Sequence, residues 1–208
     1  MGGIGDVLSS LSWLYLIGAA FTIYQLARNW RAFWAGELTP QSYQTAVGVA
    51  FFLLVPVGVL LHEFGHMLAA WSTQSQVLGL HYFVYWGYVE YIPASNSALL
   101  DWYVALAGNF VSYLLGIACL FVALRGDKLR LIVRVILTQL GILEIVQTLI
   151  FYPLMSLSPG FVGDWNSIYS FHAPVASSAT LAVHLLSLAA FIYIMRANKQ
   201  ATYLSRGY

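Results

Sequence analysis

From Tyr43 to Trp71 the chain reads YQTAVGVAFFLLVPVGVLLHEFGHMLAAW. The run is long enough to cross a bilayer as a helix, which takes about 20 predominantly apolar residues. Near its end it carries His62, Glu63 and His66. On a helix, histidines four residues apart project from one face and can grip a single ion, with the glutamate beside them. Such groups are costly within a span, about 2.5–3.5 kcal/mol for a charged carboxylate, so they need a compensating partner. A Zn2+ ion is the expected one. Two histidines and one further carboxylate would leave a fourth position open, the pattern of a catalytic site. Zinc lowers the pKa of a bound water from about 15.7 to about 7, and Glu63 is placed to act as the base.

Outward from this stretch the same hydrophobic signal recurs. Further apolar runs cover about 10–27, 98–124, 129–155 and 174–195, which with about 43–71 predict five spans. Apolar residues make up 60% of the 208 positions and charged residues only 8%, with a mean hydropathy of +0.75. A soluble domain carries about a quarter charged residues. The expected fold class is therefore an all-α polytopic membrane protein, a single membrane-embedded domain over 1–208. No long polar linker or internal repeat divides it. A net charge of +1 gives no case for nucleic acid, and the single cysteine, Cys119, excludes a disulfide within the chain.

The basic residues predict an orientation. Arg28 and Arg31 follow the first span, with no Lys or Arg ahead of it, which argues against a cleaved signal peptide. Arg125, Lys128, Arg130 and Arg134 cluster between the third and fourth spans, and Arg196, Lys199 and Arg206 follow the fifth. In a five-span chain every one of them falls on one side. The positive-inside rule then places the N-terminus outside and the C-terminus in the cytoplasm.

Two connections stand out. The segment from Val77 to Ile92 is dense in aromatic and β-branched residues, which favour strands. It predicts a membrane-associated β-hairpin or re-entrant segment turning at Gly87, with an interfacial aromatic belt as the alternative. The stretch from Ser156 to His172, with Pro159, Gly160 and Gly163, predicts a broken or extended segment. Asp164 within it falls on the same side as the His62–His66 end of the second span and is the leading third ligand. His172 and Glu90 are the alternatives, with His81 and Asp101 also on that side. Ala105, Gly108, Asn109 and Ser112 share one face of the third span, a small-residue surface suited to close packing. Asn109 there is a candidate for interhelical hydrogen bonding. Glu144, Gln147 and Thr148 are expected to share a face of the fourth span, outside catalysis. His184, inside the fifth, reads as a packing or hydrogen-bonding histidine.

These residues resemble the site-2 protease family of intramembrane zinc metalloproteases. The first motif is intact as His62-Glu63-Phe64-Gly65-His66, and the Val77–Ile92 segment sits where that family has its hairpin. Ala107-Gly108-Asn109 occupies the place of a small-residue motif, without its proline, and the resemblance implies that Asn109 holds a substrate backbone or a water. Tyr152-Pro153 and Ser158-Pro159-Gly160 precede Gly163-Asp164, which is similar to the family's aspartate motif with Gly before Asp. The resemblance spans roughly Tyr43 to Tyr169. It implies zinc held by His62, His66 and Asp164, Glu63 as base, and an endopeptidase acting on transmembrane segments of other proteins. The family generally holds its zinc toward the cytosol, whereas the basic residues place this motif's end of the span outside. A non-proteolytic metal-binding subunit of a membrane complex, or hydrolysis of a lipid, is the competing expectation.

Overall fold

The computed structural model describes residues 4–197, with side chains from 12 to 196. Lys199 and Arg206 lie outside the described residues. The elements are α1 (Ile4–Arg28), α2 (Trp30–Phe33), α3 (Pro40–Ser72), β1 (Gln76–Tyr82), β2 (Gly87–Ile92), α4 (Ala98–Arg125), α5 (Leu131–Met155), α6 (Asp164–Ile168) and α7 (Pro174–Ala197). Among the described residues α3, α4, α5 and α7 are long and apolar enough to cross a membrane. These helices suggest a membrane protein, and their limits lie within a few residues of four of the runs read from the sequence.

Local chemistry sets the ends of α3. Thr39 caps it: its hydroxyl accepts from Ser42 N at 3.1 Å, and Ser42 Oγ accepts from Thr39 N at 2.8 Å. Pro40 opens the first turn, where its missing N–H costs nothing. At the far end Ser75 N reaches back to Ala70 O at 2.9 Å while Gln74 turns left-handed at φ 61°. That is a Schellman-type stop built without glycine.

α4 is the central helix, packing on α3 along one side and α5 along the other. The buried clusters climb the bundle in order. Phe33, Ala46, Ile132 and Val135 meet at one end, beside Arg130 and Arg134. Ala50, Cys119 and Leu140 fill the middle. Ala69, Ala70 and Val104, with Ala105, Trp165 and Ile168, close the opposite end. The described basic residues follow α1, flank the α4–α5 turn or end α7, whereas His62 and His66 face the other end.

Both α3 and α5 are interrupted by π-helical segments, Val49–Leu54 and Gln147–Phe151. Each ends two residues before a proline, Pro56 and Pro153. Proline has no N–H to donate, whether to the carbonyl four residues before it in an α register or to the one five before it in a π register. In α3 that carbonyl is Phe51 O, five residues before Pro56, and the Tyr15 hydroxyl of α1 donates to it. In α5 it is Leu149 O, four residues before Pro153, and His184 Nε2 of α7 donates to it at 2.7 Å. His184 Nδ1 then accepts from the Tyr169 hydroxyl. His184 is thus the hydrogen-bonding histidine expected, and it compensates a specific proline. The π segment also changes one expected face: Glu144 and Thr148 are buried, but Gln147, where the register shifts, is exposed.

The predicted hairpin is an antiparallel β1–β2 pair with a register irregularity between Val77 and Gly79. Gly87 begins β2 and does not form the turn, which falls at 83–86 with Val84 left-handed at φ 72°. The hairpin folds back along α3. Its base packs on Ala69 and Ala70 through Val77 and Tyr91. Near its tip Tyr82 donates to Pro56 O at 2.9 Å, Phe83 O accepts from Ser12 of α1 at 3.2 Å, and Tyr85 stacks on Tyr15. Pro56 precedes Ser72 by 16 residues, so the hairpin runs back about 24 Å along the helix at 1.5 Å per residue. It is re-entrant relative to α3.

The account of His184 is testable by thermal unfolding of the purified protein. His184→Leu should cost about 1–3 kcal/mol, the penalty of an orphaned carbonyl. The same substitution beside Pro153→Ala should cost less, because an amide N–H returns to Leu149 O. Equal penalties in both backgrounds would contradict it.

Candidate metal centre

His62 and His66 lie on the face of α3 that meets α4. There Gly108 makes the room: a Cβ at that position would sit 2.3 Å from His66 Nε2 and 2.8 Å from His62 Cδ2. The small-residue motif noted in the sequence is thus the floor of the site. Asp164 arrives from the segment between α5 and α7, as the first residue of the short α6. Trp165 and Ile168 anchor that turn by burying themselves against Ala105 of α4. Asn166 staples it, accepting from Gly163 N at 2.8 Å and donating to Ser156 O at 2.9 Å. The Tyr152 hydroxyl accepts from Asp164 N at 3.2 Å.

The three side chains converge on one point. His62 Nε2 and His66 Nε2 are 3.0 Å apart, and Asp164 Oδ2 lies 3.1 Å from the first and 3.2 Å from the second. His66 Nδ1 contacts Val104 O at 2.7 Å. A carbonyl only accepts, so Nδ1 carries the proton and Nε2 presents a lone pair to the cluster. His62 Nδ1 contacts Ser112 Oγ at 3.2 Å, which leaves its Nε2 facing the same point. Asn109 Nδ2 donates to Asp164 Oδ2 and to Ala105 O, each at 3.0 Å. The Asn109 position is therefore beside the aspartate, and its Oδ1 is buried without a partner.

Asp164 lies outside the long apolar helices, and its acidity reflects these neighbours. Burial alone would raise it, but with a proton at His66 Nε2 in the place a cation would take, the charge of His66 and hydrogen bonds from His62 and His66 hold the carboxyl well below the usual carboxylate range. A carboxyl depressed on folding contributes its full share above its unfolded value of about 3.9, and loses it only as pH falls below that. Asp164 is thus an anion at any physiological pH.

The donor set fits zinc. Tetrahedral zinc with bonds of about 2.0–2.2 Å separates its ligands by about 3.4 Å, a few tenths beyond the spacings here. Two imidazole nitrogens and a carboxylate oxygen this close repel one another unless a cation lies among them. A proton relieves one pair of contacts, whereas a divalent ion relieves all three. Glu63, beside the two histidines in sequence, is only 4% exposed and its Oε2 has no hydrogen-bond partner. The start of β2 covers it: a Cβ on Gly87 would lie 3.0 Å from Glu63 Cγ.

The alternative third ligands go elsewhere. Glu90 pairs with His81 at 3.2 Å on the hairpin, both partly exposed. His172 and Asp101 are exposed. Among the described residues, His62, His66 and Asp164 form the group of three that can hold a metal ion. Sequence reading gave no part to Tyr152 or to the Val104 carbonyl. A tyrosine one turn from a helix end and a main-chain oxygen carry no pattern by which to find them. Comparison with known proteins returns no matching family model, no matching curated protein and no matching solved structure.

Zinc content of the purified protein should separate these groups. Asp164→Ala and His66→Ala should each lose the ion, while His172→Ala and Glu90→Ala keep it at the wild-type level. Retention by Asp164→Ala would remove it as a ligand.

Proposed function

We propose that this chain is a zinc-dependent intramembrane endopeptidase similar in kind to the site-2 proteases. The observation that carries the reading is the convergence of His62, His66 and Asp164 beside Glu63, whose buried Oε2 has no partner, between apolar helices and beneath a re-entrant hairpin. When bound, zinc supplies an activated water and a Lewis acid for a peptide carbonyl. Glu63 would accept a proton at Oε2 and return it to the departing amide nitrogen. Asn109 fixes the Asp164 carboxylate, and its free Oδ1 is an acceptor for a substrate N–H. A transmembrane substrate must unwind to be cut, because its helical carbonyls are already hydrogen-bonded. The strands beside Glu63 offer an edge with which an extended segment can pair.

Glu63→Gln should retain zinc and abolish cleavage of a transmembrane substrate, a loss of at least about 100-fold for a general base. Cleavage at an undiminished rate would remove Glu63 from the mechanism. A stable stoichiometric complex in which wild-type protein cleaves no subunit would favour the metal-binding accessory reading instead.

The full reading has five spans, with α1 as the first and the basic end in the cytoplasm, which puts the metal centre toward the opposite side. In a Cys119→Ser background, an impermeant thiol reagent should label Lys128→Cys from the cytoplasmic side only. It should label Val162→Cys from the outside only. The reverse pattern would invert the orientation.

A further inference from the structure

Of the three converging side chains, only Asp164 is carried by no long helix, so its place depends on how the chain between α5 and α7 is held. Trp165 and Ile168 anchor the residues after it, and the Asn166 staple joins Gly163 N to Ser156 O. The N–H of Asp164 itself goes elsewhere. Tyr152 Oη, one turn inside the end of α5, accepts it at 3.2 Å. The direction of that bond is fixed, since a backbone N–H can only donate. Phe161 meets the Tyr152 ring edge-on, centroids 6.0 Å apart at 85°, and the His62 ring lies 6.1 Å away. The tyrosine thus holds the main chain of one candidate ligand and lies beside the ring of another.

Gly163 shows what this contact requires. Its backbone is extended, at φ −144° and ψ −179°, a conformation any residue adopts. Space is what calls for glycine. A Cβ there would lie 2.9 Å from both Tyr152 Oη and Tyr152 Cε2, and 2.8 Å from Phe161 Cε1. A side chain at 163 would push the hydroxyl off Asp164 N. The carboxylate is held separately, at Oδ2, by Asn109 Nδ2 at 3.0 Å. Side chain and main chain of the same residue therefore have different holders, one on α4 and one on α5. We propose that Tyr152 is a positioning residue for the third ligand: its hydroxyl fixes the main chain from which the Asp164 carboxylate reaches the two histidines, and Gly163 leaves room for that hydroxyl. A ligand set works only when held to within about 0.5 Å, and losing an outer partner of a ligand costs about 10–100-fold in metal affinity. The inference rests on the reading of His62, His66 and Asp164 as a zinc site.

The test is zinc affinity of the purified full-length chain, measured by competition with a chromophoric chelator. The spectrum of the cobalt-substituted protein gives a second readout, one that follows the placement of the ligands. Tyr152→Phe, which removes only the hydroxyl, should weaken zinc about 10–100-fold and alter the cobalt spectrum. Ser156→Ala removes a hydroxyl from the same end of α5, one bonded to Tyr152 O and not to Asp164, and should bind zinc as wild type does. Gly163→Ala should weaken zinc by itself, and its loss should shrink beside Tyr152→Phe, because the two act through one contact. Wild-type affinity or an unchanged cobalt spectrum in Tyr152→Phe would overturn the proposal. So would an equal loss in Ser156→Ala, which marks general loosening, or full additivity of Tyr152→Phe and Gly163→Ala. If Gly163→Ala does not fold, Tyr152→Phe against Ser156→Ala decides. His66→Ala keeps the outcomes distinct: if it binds zinc as wild type does, the metal-centre reading fails and the role of Tyr152 with it. If His66→Ala loses zinc but Tyr152→Phe does not, only the role of Tyr152 falls.

Discussion

Three electron-rich atoms, two imidazole nitrogens and a carboxylate oxygen, lie within 3.0 to 3.2 Å of one another between apolar helices. Their side chains are largely withdrawn from water, with exposures of 8 to 20%, and an isolated buried charge is expensive. A cation among the three would answer the difficulty. Each neighbouring feature follows from keeping the lone pairs aimed at that point. Val104 O holds one imidazole proton outward, Ser112 faces the other, Asn109 fixes the carboxylate, and Gly108 leaves room for both rings.

The same need to satisfy every buried polar group shapes the helices themselves. Pro56 and Pro153 each remove a donor from a long apolar helix. In an apolar surround the orphaned carbonyl cannot turn to solvent, so the helix widens to a π register and a neighbour supplies the missing hydrogen. Tyr15 does this for α3 and His184 for α5. The compensation ties α1 and α7 to the bundle, whose other faces expose Trp13, Ile17, Leu186 and Tyr193 to their surroundings. Pro56 also lies where the hairpin tip docks, through Tyr82, so the α3 π segment, the tip and α1 meet at one level.

The folded-back hairpin covers part of the cluster's surroundings. Because it returns along α3 instead of leaving it, β2 begins over Glu63. A carboxylate oxygen shielded there, as Glu63 Oε2 is, has no hydrogen-bond partner. One left open to the exterior would be solvated.

Much of this was legible in the residues alone. The lengths of the apolar runs located four helices long and apolar enough to cross a membrane, because hydrophobic length is a local property. The spacing of His62 and His66 placed them on one face, because helical period is local too. The aromatic and β-branched stretch up to Ile92 announced the strands. Asp164 could only be ranked among candidates on one side, since nothing local distinguishes it from His172 or Glu90. Packing of Trp165 and Ile168 on Ala105 selected it. The π segments, the exposure of Gln147 and the partner of His184 were equally out of reach, because a proline announces the lost hydrogen bond but not the side chain that replaces it. The sequence by itself determined the spanning helices, the hairpin and the paired histidines, all set within one stretch of chain. Only the tertiary structure decided the third side chain of the cluster and the orienting contacts. Those depend on distances between helices far apart in the chain, where one glycine decides how closely two of them approach.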